Sequence, residues 1–419
     1  MARRNEWLLM AFTASTNVAD GVVRVALPVL ATSVTRSPAA VAGVAAAMTA
    51  PWFFAALPIG VLVDRADRRR LMVTAEGIRL AAVGLLLGAL AVRLTPLALL
   101  YGVALVLGTA EVLALTAAAA IVPSAVPAER RETVNTRVTA VEYLCNGFLG
   151  PPAGGLLAGL GVAIALGATA LTYAVGMLLL VGLVGRFAVT RDRPVRSVPA
   201  EIRDGLAYLW SQRLLRTMAL LIAALAGCWS AWLALLPTYA LRPGPLGLDE
   251  RGYGLLLTCL GAGGVVGAVL TGPVNRALGR RWAMFADVAG SFLLVAVPVV
   301  ATTAWPVGVA AFLAGAGGTL WVVNSRTVTQ ALVPQALLGR FNAAYRLVSW
   351  GATPVAAAAA GALAELAGPR VAFGVFAALA AACVVPFLRV VTASALAPPA
   401  PEAGAPEPGI AAPAASGRA

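Results

Sequence analysis

The 419-residue chain contains no histidine and no lysine, and all 31 of its basic residues are arginine. Without lysine there is no P-loop phosphate clamp and no Schiff-base amine; without histidine there is no imidazole metal ligand and no Ser-His-Asp relay. Cysteine is scarce as well. Cys145, Cys228, Cys259 and Cys383 each sit inside an apolar run with no C-x-x-C spacing, so they read as small core residues. Charge is the fourth shortage: 12% of the residues are charged, about half the share usual in a water-soluble protein. Against this, 60% of the residues are apolar and the mean hydropathy is +0.87. Too little polar surface remains to wrap soluble domains, and the lipid bilayer is the expected solvent. No enzyme, cofactor or metal is expected from this composition. The net charge of +13 does not point to nucleic acid, because the arginines lie in short loops between apolar segments without aromatic interleaving.

A helix rises 1.5 Å per residue and the hydrocarbon core is about 30 Å thick, so a crossing takes about 20 mostly apolar residues. Twelve such runs are present, at 7–33, 39–62, 71–93, 96–122, 134–158, 162–185, 217–241, 252–275, 282–303, 306–329, 340–366 and 370–391. The first is too long for a signal-peptide core and is expected to stay as a span. The predicted architecture is therefore an all-α membrane protein of twelve transmembrane helices in two halves, 1–185 and 217–391. Between them lies a linker, 186–216, with seven arginines and an amphipathic stretch from Ile202 to Leu215. The tail, 392–419, is rich in Ala, Pro and Gly, cannot build a core and is expected to be disordered.

Basic residues are retained on the cytoplasmic side of a membrane. With the N-terminus inside, only Arg36, Arg93, Arg242, Arg251 and Arg370 fall in outer loops, so both termini are expected in the cytoplasm. The two halves also repeat each other. Asp64-Arg65-Ala66-Asp67-Arg68-Arg69-Arg70 after span two and Asn275-Arg276-Ala277-Leu278-Gly279-Arg280-Arg281 after span eight are 211 residues apart. The same spacing relates Val122-Pro123 to Val333-Pro334. Parallel six-span repeats are a transporter architecture, one half rocking against the other around a midplane site.

The stretch from Gly60 through Asp64, Arg65, Arg68 and Arg69 to Leu71 resembles the G-x-L-x-D-R-x-x-R-R signature of the major facilitator superfamily. In span five, Gly150-Pro151-Pro152-Ala153-Gly154-Gly155 resembles the G-P-x-x-G-G motif of its antiporter branches. Asp20-Gly21 followed by Arg24 and Pro28, with Arg340 opening span eleven, is similar to the enterobactin-exporter and macrolide-efflux group. The resemblance spans roughly residues 5–391 and implies a central cavity between spans one, four, seven and ten. Span four departs from the superfamily's drug/proton antiporters, which carry an arginine there; its only charge is Glu111.

Thr13, Asn17, Asp20 and Arg24 share one face of span one. Charges inside a membrane are costly and mark cavities, although an Asp20–Arg24 bridge would also satisfy both groups. Glu111 in span four and Glu142 in span five have no arginine one turn away. An unpaired carboxylate there is costly, so Glu111 is expected to carry the coupling proton, the alternative being a donor on another helix or a pair with Arg24. Trp229 and Trp232 on span seven, with Trp321 and Asn324 on span ten, are expected to form an aromatic wall suited to flat or amphipathic molecules; lipid-facing tryptophan is the competing reading. Asp64, Arg65, Arg68 and Arg69 are expected to bridge toward Arg340 as a conformational switch, with Glu76 and Arg79 in the same cluster. Gly150, Pro151, Gly154 and Gly155 read as packing and bending residues, as do Gly261-x-Gly263-Gly264 and Gly315-x-Gly317-Gly318.

The expected function is secondary transport, with the resemblance implying proton-coupled export of a hydrophobic or amphipathic small molecule by a monomer in the cell membrane. A lysophospholipid, sugar or amino-acid carrier and a non-transporting membrane sensor are the alternatives. A sensor would carry a sizeable soluble output domain, which the sequence lacks.

Overall fold

A computed structural model of the chain describes residues 2–63, 65–127, 130–185, 187 and 198–396. Asp64, most of the 186–197 stretch and the tail beyond 396 lie outside the described residues, and with them the expectations for the Asp64 switch and the disordered tail. The first half contains α1 (Ala2–Val34), α2 (Pro38–Thr49), α3 (Pro51–Phe54), α4 (Ala56–Val63), α5 (Arg68–Ala91), α6 (Leu97–Ala125), α7 (Arg131–Tyr143), α8 (Gly150–Leu160) and α9 (Val162–Val181). The amphipathic α10 (Val198–Ser211) precedes α11 (Arg213–Ala240), α12 (Glu250–Val300), α13 (Ala304–Leu332), α14 (Gln335–Ala367), α15 (Pro369–Ala382) and α16 (Val384–Val390). Nine helices among the described residues are long and apolar enough to cross a membrane.

Local sequence explains the departures from one helix per apolar run. The second run is cut into α2, α3 and α4; Ser37 caps α2 by accepting from Ala40 N, and Pro51 opens α3. The fifth run passes through a π-helical turn, Leu144–Leu149, before α8. Pro151 and Pro152 follow that turn; they lack N–H donors and their rings crowd the preceding turn, which disrupts regular i→i−4 bonding. The 51-residue α12 joins the eighth and ninth runs through Gly279 at φ 79°, a left-handed conformation open to glycine. Its two arms flank the same part of α13: Gly263 and Gly290 meet Phe312 and Ala314. The chain therefore doubles back at Gly279.

The helices α1, α5, α6, α8 and α9 pack on one another, as do α11 to α15; contacts between the two groups run mainly through α8 on α12 and α2 on α14. The 211-residue spacing exchanges these two pairs, as expected for a pseudo-two-fold assembly. Both crossings are tight. A Cβ on Gly254 would lie 2.6 Å from the Gly155 carbonyl carbon, and Ser37 Oγ donates to Glu365 Oε2 at 2.7 Å where α2 begins and α14 ends. The bundle is thus closed at the end remote from its termini. On α1, a Cβ on Gly21 would lie 2.6 Å from Gly150 Cα, so the motif glycines bring three helices together: Gly150 and Gly154 toward α1, Gly155 toward α12.

Gly254→Ala is expected to force these backbones apart at a cost of about 1–3 kcal/mol, read as earlier thermal unfolding in detergent. Gly272→Ala, at a helical position with open space around it, should leave unfolding unchanged or delay it.

Candidate functional site

Arg79 has no solvent exposure at all, so its position is decided by whatever pairs with it. Its Nη2 donates to Asp20 Oδ2 at 2.8 Å and its Nη1 to Glu76 Oε1 at 2.7 Å. Thr16 Oγ1 accepts a further bond from Arg79 Nη1 and donates to Glu76 Oε1 at 2.9 Å. From α9, Tyr173 donates to Asp20 Oδ1 at 2.7 Å, and its ring centroid lies 5.2 Å from the Arg79 guanidinium carbon. Two carboxylates share one guanidinium, and Glu76 Oε2 has no hydrogen-bond partner. This network corrects two expectations. Asp20 does not bridge to Arg24 along its own helix, and Glu76 and Arg79 belong to the interior rather than to the cluster at the helix ends. Asp20 turns toward α5 and α9, where buried arginine offers a full counter-charge; four residues on, Arg24 turns toward α6.

There Arg24 Nη2 donates to Glu111 Oε1 at 2.7 Å, with Arg24 26% exposed. Asn146, in the π-helical turn, donates from Nδ2 to both Glu111 Oε1 at 3.3 Å and Asn17 Oδ1 at 3.1 Å. Asn17 in turn donates to Thr13 O at 2.8 Å. Glu111 is therefore paired, which resolves the alternatives left open for it: Arg24 is the partner. Asn146 and Tyr173 were missed because a neutral polar residue in an apolar run carries no spacing signal. A small cavity beside this chain is lined by Phe12, Thr13, Thr16, Asn17, Val138 and Glu142. Glu142 is half-buried there, within electrostatic reach of Arg346 and Arg326 on the other half. Arg346 lies over Trp52, whose ring faces Trp350 at 6.4 Å, so cationic and aromatic groups meet between the halves.

The expected wall in the second half is not assembled. Trp232 is 0% exposed in the core of α11, α12 and α15, and Trp321 is 1% exposed against Phe387. Large aromatic surfaces are better placed in that packing than toward a polar cavity. Trp229 is half-buried and donates to Ser291 Oγ at 2.9 Å, while buried Asn324 accepts from Asn275. At the terminal end, Arg340 pairs with Asp204 of α10 at 3.5 Å, Arg69 donates to Val181 O at 2.7 Å, Arg65 is exposed, and Arg68 N donates to Phe187 O. Gly60 has open space where a Cβ would stand. Arg137 pairs with Glu6 at 3.1 Å.

A bundle of two apolar halves, with ion pairs inside it and a small cavity among α1, α6 and α7 of the first half, has the architecture of a multi-pass membrane transporter. The chain belongs to the transmembrane secretion effector family, whose model matches residues 5–416. It is 29% identical over 362 residues to an enterobactin exporter of Citrobacter koseri, covering 84% of this chain and 83% of the relative. It is 29% identical over 389 residues to a multidrug efflux pump of Mycolicibacterium fortuitum, covering 88% and 92%. The fold matches a nucleoside transporter at TM-score 0.70 and 11% identity, covering 93% of this chain and 99% of that one. It also matches an inward-facing bacterial homologue of ferroportin at TM-score 0.69 and 16% identity, covering 93% and 99%.

Arg79→Met leaves two buried carboxylates without their cation, a loss of about 3–5 kcal/mol. Folded protein, measured by fluorescence-detected gel filtration, should fall sharply and return in the triple variant Asp20→Asn, Glu76→Gln, Arg79→Met.

Proposed function

We propose that the protein exports a hydrophobic or amphipathic small molecule, such as a drug, natural product or siderophore, across the cell membrane by alternating access, with protons moving inward. The Arg24–Glu111 pair carries this reading. It is an ion pair between two apolar helices whose arginine remains partly exposed. A proton arriving on Glu111 cancels the attraction and frees the guanidinium, while Asn146 keeps the carboxyl tied to Asn17. Protonation is thereby exchanged for a change in how α1 and α6 are held together, the bistable element that coupling requires. Asp20 sets the position of α1 through Arg79, and Glu142 adds a second acid at the cavity.

The direction of transport rests on the exporter and the efflux pump among the relatives. Trp52, Trp350 and Arg346 supply an aromatic and cationic surface between the halves that suits an amphipathic molecule. In this reading the protein is a monomer of twelve crossings with both termini in the cytoplasm. The Asp64–Arg70 loop then locks the terminal end in the opposite state, when Arg340 leaves Asp204.

The test is proton-gradient-driven uptake into inverted vesicles beside equilibrium substrate binding. Glu111→Gln is expected to bind substrate and to lose gradient-driven transport; full transport by this variant would remove Glu111 from the coupling. Substrate-dependent proton flux in liposomes, screened across a compound library, identifies the substrate.

A further inference from the structure

The repeat spacing places Asp287 of α12 at the position that Glu76 occupies in α5. The two carboxyls have different surroundings. The same spacing relates Asp20 to Ala231 and Arg79 to Gly290, so the second half keeps an acid where it has neither the arginine nor the companion aspartate. Asp287 is 2% exposed. Ser291 Oγ donates to its Oδ1 at 3.2 Å and itself accepts from Trp229 Nε1 at 2.9 Å. α13 closes over it, since a Cβ on Gly317 would lie 2.8 Å from Asp287 Cα and one on Gly318 3.6 Å from Oδ1.

No ion pair among the described residues includes Asp287. The titratable group nearest on α11 is the Cys228 thiol, with Cys383 beside it from the C-terminal end of α15. Arg281, on the same arm, is six residues away, about 9 Å along the axis, and donates to Leu388 O. Arg326 on α13 lies eight residues beyond Gly318, about 12 Å further. Arg213 and Arg216 on α11, Arg370 on α15 and Arg389 on α16 sit near helix ends. A single serine hydroxyl cannot replace a counter-ion in this packing.

We propose that Asp287 is a proton-binding site of the second half, held as a neutral carboxylic acid in this packing and emptied only when α12 and α13 separate enough to admit water. The proton adds to one carboxylate oxygen and no other bond changes. Its part in coupling rests on the export reading; the acid is linked through Ser291 to Trp229 of α11.

Infrared spectroscopy of the purified full-length chain with ¹³C-carboxyl aspartate reads the site directly. Of seven aspartates, only Asp20 and Asp287 fall within the apolar runs, and Asp20 is bound by Arg79 and Tyr173. At neutral pH a label-shifted protonated-carboxyl band is expected, persisting in Asp20→Asn and absent in Asp287→Asn. Should Asp287→Asn fail to fold, Asp287→Glu should replace the labelled band with an unlabelled one. No such band in the wild type, or a labelled band surviving either substitution of Asp287, overturns the proposal. Proton flux on the same preparation separates the two readings: a band without flux sinks the coupling and keeps the site, whereas flux without the band does the reverse.

Discussion

A fully buried arginine is the constraint around which the first half is organised. Arg79 cannot be neutralised by losing a proton, and so it must be met by carboxylates. Asp20 and Glu76 do this from two helices, and Thr16 and Tyr173 add hydrogen bonds to Glu76 and Asp20, which ties α1, α5 and α9 at the middle of the bundle. With α1 fixed in rotation, Arg24 points to α6 and Asn17 to the π-helical turn. The cavity-side pair exists where it does because the buried network has already oriented the helix that carries it.

Much of the fold was legible in the sequence. Composition pointed to a bilayer and run length to long apolar helices, nine of which reach spanning length among the described residues, because each follows from burial or rise per residue and from nothing distant. The site was legible in parts. The polar face of α1 stood out by periodicity, and Glu111 by being the lone charge of its run. Their partners did not follow, because Arg24 and Asp20 are equally well spaced to bond each other, and only the rotation of α1 against α5 and α6 separates the two outcomes. Trp232 and Trp321 show the opposite failure: helical spacing groups them with Trp229 and Asn324, yet the side that faces the core is decided by neighbours far along the chain.

The interruptions of regular helix sit where two jobs compete. The Gly150–Gly155 segment brings α8 close to both α1 and α12, while the π-helical turn before it aims Asn146 at Glu111 and Asn17. One irregular stretch thus supplies packing on two sides and a polar contact in the interior. Substitutions here change geometry and chemistry together, and reading either requires controlling for the other.

Helix α14 touches different partners at its two ends. Glu365 meets Ser37 at one, and Arg340 meets Asp204 at the other, 25 residues apart, or about 38 Å of helix. Pro354 interrupts its hydrogen bonding between them. The helix is in effect a lever with a soft point: a tilt of α14 is felt at both contacts, and the stiffness of one prolyl turn sets how much of it passes from one end to the other.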